Sequence, residues 1–395
     1  MNTTTASHRR LSARADSLTS SRIREILRVV EQPDVLSLAG GLPAPETFDV
    51  VAVRAALDHA LSRRGRYGPV ALQYGATDGI DSLRELIAAR TGAPVDHVLV
   101  TTGAQQALDL VVRAPCDPGD VVVLQSPAYL GALQCIAAAG ARAVPVRGDA
   151  DGIDVDAIEA LAVRGVPVRA VYVVPEFHNP TGAVLAADRR RALAALADRH
   201  GFVVVEDDPY RDLRFRGRAA PPAAHGELVA RLGSASKIAA PGLRVGWLLA
   251  PPWLRDGVAR LKQSADLHTS TLTQLVAESL LRAETEESRR ARADRYRHKA
   301  DVLADALVTH FGDRIAFERP DGGLFLWLRA LDGTDTDALL TRAVEHGVAY
   351  VPGVAFAVPG APDEHTSLRL SYASLDDAAL REAASRLAST WGAAT

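Results

Sequence analysis

The sequence predicts an α/β fold: a mainly parallel sheet covered by helices, followed by a smaller α+β domain. Three observations predict it. Short Val-rich runs alternate with helical patterns between residues 98 and 250, as in a sheet buried on both faces. The chain then changes character, with strand patterns at 315–317, 324–328, 348–351 and 367–370 and helices near 336–346 and 376–390. Its 395 residues are enough for two domains, and 48% hydrophobic with 24% charged residues is the balance of a globular protein.

Composition narrows the function. A net charge of −3 provides no polybasic footprint for nucleic acid or an anionic membrane. Two cysteines, Cys116 and Cys135, exclude a disulfide framework and predict a reduced, cytosolic setting. Neither stands at metal-ligand spacing, so no metal site is expected. The polar N-terminus has no apolar signal core, and no apolar run is long enough to span a bilayer.

Taken in order, residues 1–18 are Thr, Ser and Arg-rich and read as an arm. A helix is expected from Ser20, with Ile23, Ile26, Leu27 and Val30 at helical spacing, until Pro33 ends it. Leu38-Ala39-Gly40-Gly41-Leu42-Pro43 reads as irregular, and its glycines allow close approach of backbone to a ligand or a plain connection. Helices are expected at 51–61 and 81–90, with a loop at Gln73-Tyr74-Gly75 between them. Strands are expected at 98–101, 121–124, 170–174, 202–206, 230–233 and 245–250, with helices at 105–113 and 186–200 among them. The charged run 282–301 reads as a solvated helix face.

In parallel sheets, ligands bind beyond the carboxyl ends of the strands, and the chemistry-bearing residues fall there. Gly103-Ala104-Gln105 leads a strand into a helix whose free N–H groups suit a phosphate. Tyr129 offers a stacking face, or packs in its loop. Asn179 sits in a Pro-flanked turn beside His178, and a solvated loop is the usual state of such a histidine. Glu206-Asp207-Asp208 places three carboxylates after an apolar strand. That is costly without a cationic partner, such as a protonated pyridine nitrogen or a metal, but no His or Cys accompanies them at ligand spacing. Tyr210 follows two residues later, within reach of a ring hydroxyl.

The richest stretch is Ser234-Ala235-Ser236-Lys237, with Arg244 seven residues beyond the lysine. A desolvated lysine forms a Schiff base with an aldehyde, and the hydroxyls and arginine suit a phosphate. Aldehyde and phosphate together describe pyridoxal phosphate. A surface turn with a solvated lysine is the competing reading of this stretch alone.

In Asn179-Pro180-Thr181-Gly182, Asp207-Asp208-Pro209-Tyr210, Ser234-Ala235-Ser236-Lys237, Pro241-Gly242-Leu243-Arg244 and Leu368-Arg369-Leu370, the chain resembles the class I/II aminotransferases of pyridoxal-phosphate fold type I. Ile23-Arg24-Glu25, Ala39-Gly40-Gly41 and Ala265-Asp266-Leu267-His268-Thr269 are similar to the 2-aminoadipate/kynurenine branch. The resemblance runs from about residue 18 to 390. It implies a cytosolic homodimer with a seven-stranded large-domain sheet. The implied layout is an arm to residue 18, a segment 19–60 packed with the small domain, a cofactor domain 61–285 and a small domain 286–395.

The resemblance also implies site roles. Lys237 bonds the cofactor and shuttles the proton, Asp207 pairs with the pyridine nitrogen, and Asn179 and Tyr210 hold the ring hydroxyl. Tyr129 stacks on the ring, and Gly103, Ala104, Gln105, Ser234, Ser236 and Arg244 bind phosphate, with Tyr74 reaching the partner subunit's phosphate. Arg369 clamps the substrate carboxylate, with Gly40 and Asn179 beside it, and Arg24 meets an acidic side chain. Two positions depart from the pattern: Ala104 lacks a hydroxyl common there, and His178 replaces a glutamine. The implied activity is ping-pong amino-group transfer. A lyase, decarboxylase or oxidase on the same scaffold is the alternative. A ligand-sensing regulator is least expected, because only about 18 residues precede the first family-like helix.

Overall fold

The Val-rich runs become the strands of one sheet. After a short β1 (Leu36–Ser37) they are β2 (Val98–Thr101), β3 (Val121–Ser126), β4 (Arg142–Asp149), β5 (Gly152–Ile153), β6 (Val168–Val173), β7 (Val203–Asp207), β8 (Val229–Ser234) and β9 (Gly246–Leu249). The computed structural model describes residues 12, 15, 34–62, 68–217, 226–362 and 364–391. The helix expected from Ser20 lies outside the described residues.

The spatial order is β2-β9-β8-β7-β6-β3-β4-β5. The pairs from β8 through β7, β6 and β3 to β4 are parallel. Strand β9 is antiparallel to both β8 and β2, so β2 runs the same way as β8. Hence Thr101, Ser126, Val173, Asp207 and Ser234 end at one edge, where β9 begins. The eighth strand, β5, is a two-residue partner hairpinned onto β4. Strand β4 has no counterpart in the expected set. It carries Pro145 and three charged residues, and only Val146 is buried along it.

Alternation along the strands covers both faces. Val122, Leu124, Ala170, Tyr172 and Val205 join one core cluster, and Val121, Val123, Val171, Val173 and Val204 another. The helices between them follow their sequence signals. Helix Val50–Leu61 starts where Asp49 accepts the Ala52 N–H at 2.8 Å, and its Ala60 packs with Leu275 of helix Thr271–Ala283. Helix Ala187–His200 ends at Gly201 in the left-handed region.

A second, antiparallel sheet follows: β10 (Ile315–Phe317), β11 (Phe325–Ala330), β13 (Val351–Pro352) and β14 (Ser367–Ser371), in the order β10-β11-β14-β13. The run expected as one strand at 348–351 is split. Its first half, β12 (Val348–Ala349), pairs with β1, and its second half pairs with β14. Between them the buried Tyr350 donates its hydroxyl to Thr336 O at 2.6 Å. The charged run forms the expected solvated face, with Glu286, Glu287, Arg290 and Arg297 exposed, but the same helix also has a buried side. Helix Glu286–Phe311 buries Tyr296, Lys299 and Ala300. The Tyr296 hydroxyl accepts the Ala44 N–H at 3.0 Å, and Lys299 donates to Ala373 O at 3.0 Å and pairs with Glu46 at 2.6 Å. This face secures the segment that follows β1.

Among the described residues no helix is long and apolar enough to cross a membrane. Both cysteines are free and buried.

Strand β7 is anchored from behind. Arg190 of helix Ala187–His200 grips both oxygens of Glu206 at 2.7 Å, and both side chains are buried. Removing one partner strands a buried charge. Arg190→Met is expected to cost about 3–5 kcal/mol in chemical denaturation, and the double variant Arg190→Met/Glu206→Leu to recover most of it. Equal stability of Arg190→Met and the parent would contradict this account.

Candidate active site

The three consecutive acids at the end of β7 meet three different fates. Glu206 is held by Arg190. Asp208 accepts from Arg211 Nε at 2.5 Å. Asp207, between them, points to the other face, because successive side chains alternate along a strand. Its Oδ2 accepts the Tyr172 hydroxyl at 2.9 Å, and its Oδ1 has no hydrogen-bond partner. Burial, with the nearby Asp208 charge, pushes its pKa up to about 7 despite the Tyr172 bond. A buried carboxylate with one orphaned oxygen fits a cationic ligand atom. Asp207 lines a cavity with Tyr129, Tyr172, Asn179, Tyr210 and Lys237.

At one end of this cavity, β2 turns through Gly103 into helix Ala104–Arg113, which has no side-chain cap. Its first N–H groups are therefore available to an anion. Gly103 has φ +82°, and a Cβ there would sit 2.4 Å from Arg244 Nη2. A Cβ on Gly246 would lie 2.5 Å from the Ala104 nitrogen. Only glycine lets the guanidinium and β9 come this close to the turn. Ser234 Oγ accepts the Ser236 N–H at 3.0 Å, which leaves its own proton to donate. Ser236 lines the same cavity.

Lys237 ends a single 3-10 turn, Ala235–Lys237, after β8. Its Nζ donates to Gly41 O at 2.8 Å. Burial, with Arg369 and Arg244 nearby, pulls its pKa down to about 8. Arg369 comes from β14 in the second sheet. It donates to Asn179 Oδ1 at 2.8 Å and to Ala39 O at 2.7 Å, and its Nε has no partner. Phe325 and Phe356 hold the guanidinium over their rings, 4.0 and 4.9 Å from the centroids. Burial lowers its pKa to about 10, so it stays a cation at neutral pH. Tyr210 is buried edge-on to Phe325, and Asn179 hydrogen-bonds it.

Residues 33–387 match the family model described as aminotransferase class I and II. The chain belongs to this aminotransferase family. It is 39% identical to the 2-aminoadipate transaminase of Thermus thermophilus, with 94% of each chain covered. It is 37% identical to aromatic-amino-acid aminotransferase 1 of Thermococcus litoralis, over 96% of this chain and 93% of that one. The crystal structure of the α-aminoadipate aminotransferase of Thermus thermophilus, complexed with N-(5'-phosphopyridoxyl)-L-leucine, superposes with a TM-score of 0.88 at 37% identity, covering 96% of each chain. The protein is a fold type I aminotransferase, and its cofactor is pyridoxal phosphate. The residues present fit that group. The orphaned Asp207 oxygen suits a protonated ring nitrogen, the Gly103 cradle under Arg244 suits a phosphate, and Lys237 supplies a desolvated amine.

Not every residue singled out in the aminotransferase sequence stands where its type suggests. The Gln105 side chain turns toward Tyr129, accepting its hydroxyl at 3.0 Å while donating to Gly131 O at 3.1 Å. Gln105 thus offers an anion its backbone N–H and orients the Tyr129 ring. Gly40 is buried, and its neighbours Ala39 and Gly41 supply the carbonyls that meet Arg369 and Lys237. Tyr74 is 78% exposed, edge-on to His268, and is not among the residues lining the cavity. Arg24 lies outside the described residues. His178 is buried, not solvated. Its Nδ1 is 2.8 Å from Thr181 Oγ1, its backbone spans the turn to Ala183, and burial pulls its pKa down to about 3, so it is neutral.

Three contributors went unmarked in the sequence: Tyr172, Phe325 and Phe356. Tyr172 alone left a signal, as a hydroxyl inside the apolar run 170–174. No group of three or more His, Cys, Asp or Glu among the described residues could hold a metal.

The electrostatics of Lys237 carry a sign. A lowered lysine pKa exposes the neutral amine at lower pH. Condensation of the cofactor-free enzyme with pyridoxal is expected to rise with pH around a midpoint of about 8. A midpoint near 10.5, the ordinary lysine value, would show that burial and the two arginines leave the amine unperturbed.

Proposed function

We propose that the enzyme moves an amino group from an L-amino acid to a 2-oxo acid in two half-reactions, with Lys237 as the amine that holds the cofactor and carries the proton. The observation that carries this reading is the convergence of Asp207 and Lys237, from the ends of neighbouring strands, on one cavity, where Arg369 reaches in from the middle of β14 to hold Asn179 of its lining. When bound, pyridoxal phosphate supplies an aldehyde carbon and a cationic ring that draws electrons from the substrate α-carbon.

The chain's own groups then have distinct tasks. Asp207, ionised beside a ring cation, keeps the ring nitrogen protonated. Tyr210 and Asn179 hold the ring hydroxyl, and Tyr129 covers one ring face. Gly103, Ala104, Gln105, Ser234, Ser236 and Arg244 take the phosphate. Arg369 receives the substrate α-carboxylate in a bidentate grip, exchanging its contacts with Asn179 and Ala39. Lys237 Nζ is neutral at mildly alkaline pH, so it can take the α-proton and return it. Gly40 adjoins the carboxylate position.

We further propose a homodimer in which the exposed Tyr74 reaches the partner's phosphate. The division follows residues 61–285 as the cofactor domain and 286–395 as the small domain, with 19–60 joined to the latter through β1 and β12. Relatives named for 2-aminoadipate and for aromatic amino acids support an acidic or aromatic donor, with Arg24 meeting the acidic one.

Two outcomes test this reading. Lys237→Ala is expected to lose about 10²–10⁴-fold in amino-group transfer, the range for a missing proton carrier. Oxo-acid release at the parental rate would sink it. In a half-transamination panel of acidic, aromatic, branched and basic amino acids, Arg24→Ala is expected to slow acidic donors alone. A uniform loss would argue against side-chain recognition by Arg24.

A further inference from the structure

The turn read as receiving the phosphate is fixed only in part by its own residues: the Gly103 N–H donates to Thr101 O at 2.8 Å, and Thr101 Oγ1 donates to Gly103 O at 3.0 Å. Gly103 has no side chain, Ala104 has no hydroxyl, and Gln105 is committed to Tyr129. The sheet holds the chain only as far as Thr101, which pairs with Gly246. A second grip, on the residues flanking Gly103-Ala104-Gln105, comes from elsewhere in the sequence. Asp266, the last residue of helix Pro252–Asp266, accepts from Thr102 Oγ1 and from Gln106 Nε2, both at 2.7 Å and both on its Oδ2. These two residues stand immediately before and after Gly103-Ala104-Gln105. The Gln106 Oε1 closes the loop by accepting the Thr102 N–H at 2.8 Å.

The carboxylate is itself locked. Its Oδ1 accepts from Lys262 Nζ at 2.7 Å, one helical turn back, and Lys262 is fully buried. Burial raises the Asp266 pKa, yet Lys262, Thr102 and Gln106 together hold it below the usual carboxylate range. The backbone is pinned as well. Leu267 has φ 62° and ψ −58°, and the His268 N–H bonds back to Asp266 O at 2.7 Å. That is a γ-turn of the rare positive-φ kind, strained for leucine, and it persists only where its surroundings hold it. Thr269 Oγ1 lies 3.2 Å from Thr102 Oγ1 on the far side of the same turn. A buried lysine, a carboxylate with three hydrogen-bond donors and a strained backbone meet at a point outside the cavity lining.

We propose that Asp266, locked by Lys262, is a positioning residue for the cofactor phosphate: it clamps Thr102 and Gln106 so that the N–H groups of the 103–105 turn face one anion. The inference rests on the phosphate reading of that turn given above. The clamp acts through backbone placement, so it governs the phosphate and not the ring.

Paired titrations of the cofactor-free enzyme with pyridoxal phosphate and with pyridoxal, followed by absorbance and fluorescence, test it. Asp266→Asn keeps the shape and removes the charge, and Thr102→Val removes one clamped hydroxyl. Each is expected to raise the Kd for pyridoxal phosphate by about tenfold, as for one lost charge-assisted hydrogen bond, while the Kd for pyridoxal stays unchanged. Thr102→Val leaves the Lys262–Asp266 pair whole and carries the test should Asp266→Asn fail to fold. An equal rise for both ligands would make Asp266 merely structural and overturn the proposal, as would an unchanged Kd for pyridoxal phosphate. A parent protein that binds both ligands equally would instead overturn the phosphate reading of the turn, and this inference with it.

Discussion

A carboxylate taken out of water without a cation is the constraint on which this site depends. Desolvation opposes the charge on Asp207, and one of its oxygens finds no donor in the protein. Its neighbours show the usual remedy. Glu206 has Arg190, Asp208 has Arg211, and the buried Glu176 has Arg214. Those pairs fasten β7 and the following turn from behind. Each of these acids but Asp207 has a cationic partner. A protonated ring nitrogen suits Asp207, and such a ring is what the cofactor of this family provides.

The cations are arranged by the same logic in reverse. Lys237, Arg244 and Arg369 come close enough that the two arginines help push the lysine toward its neutral form. Each arginine is held in place differently. Arg244 lies over Gly103 beside an uncapped helix end. Arg369 lies between two aromatic rings and bonds a backbone carbonyl and an amide oxygen. One anionic group is favoured beside each arginine, and both arginines act on the reactive amine. A phosphate and a carboxylate meet that pattern, and both are present when the cofactor and an amino acid occupy the site together.

Much of this was legible in the residues. Continuous apolar runs marked the inner strands, because buried parallel strands need apolar side chains on both faces. Ligand groups were legible through their position at strand ends, where the topology leaves a crevice. The edge strand at 142–149 was not legible. Half exposed and rich in charge, it lacks the apolar run that betrays an inner strand. The buried side of the helix at 286–311 was not legible either. Its charged residues marked a solvated face, but Lys299 and Tyr296 are buried against the segment after β1. Long polar side chains bury their stems and pair their tips, and one-dimensional patterns do not register that.

The sequence by itself determined the α/β class, the order of most strands and helices, and the residue types gathered at the strand ends. These follow from local rules, which each segment carries within itself: periodicity, capping and turn chemistry. Only the tertiary structure decided which acid of three is left without a cation, that Gly41 and not a side chain meets Lys237, that Gln105 serves Tyr129, and that Asp266 clamps the 102–106 turn from 160 and 164 residues away. Those outcomes depend on which side chains are desolvated together. Desolvation is a property of the packed molecule and cannot be read from any one stretch of the chain.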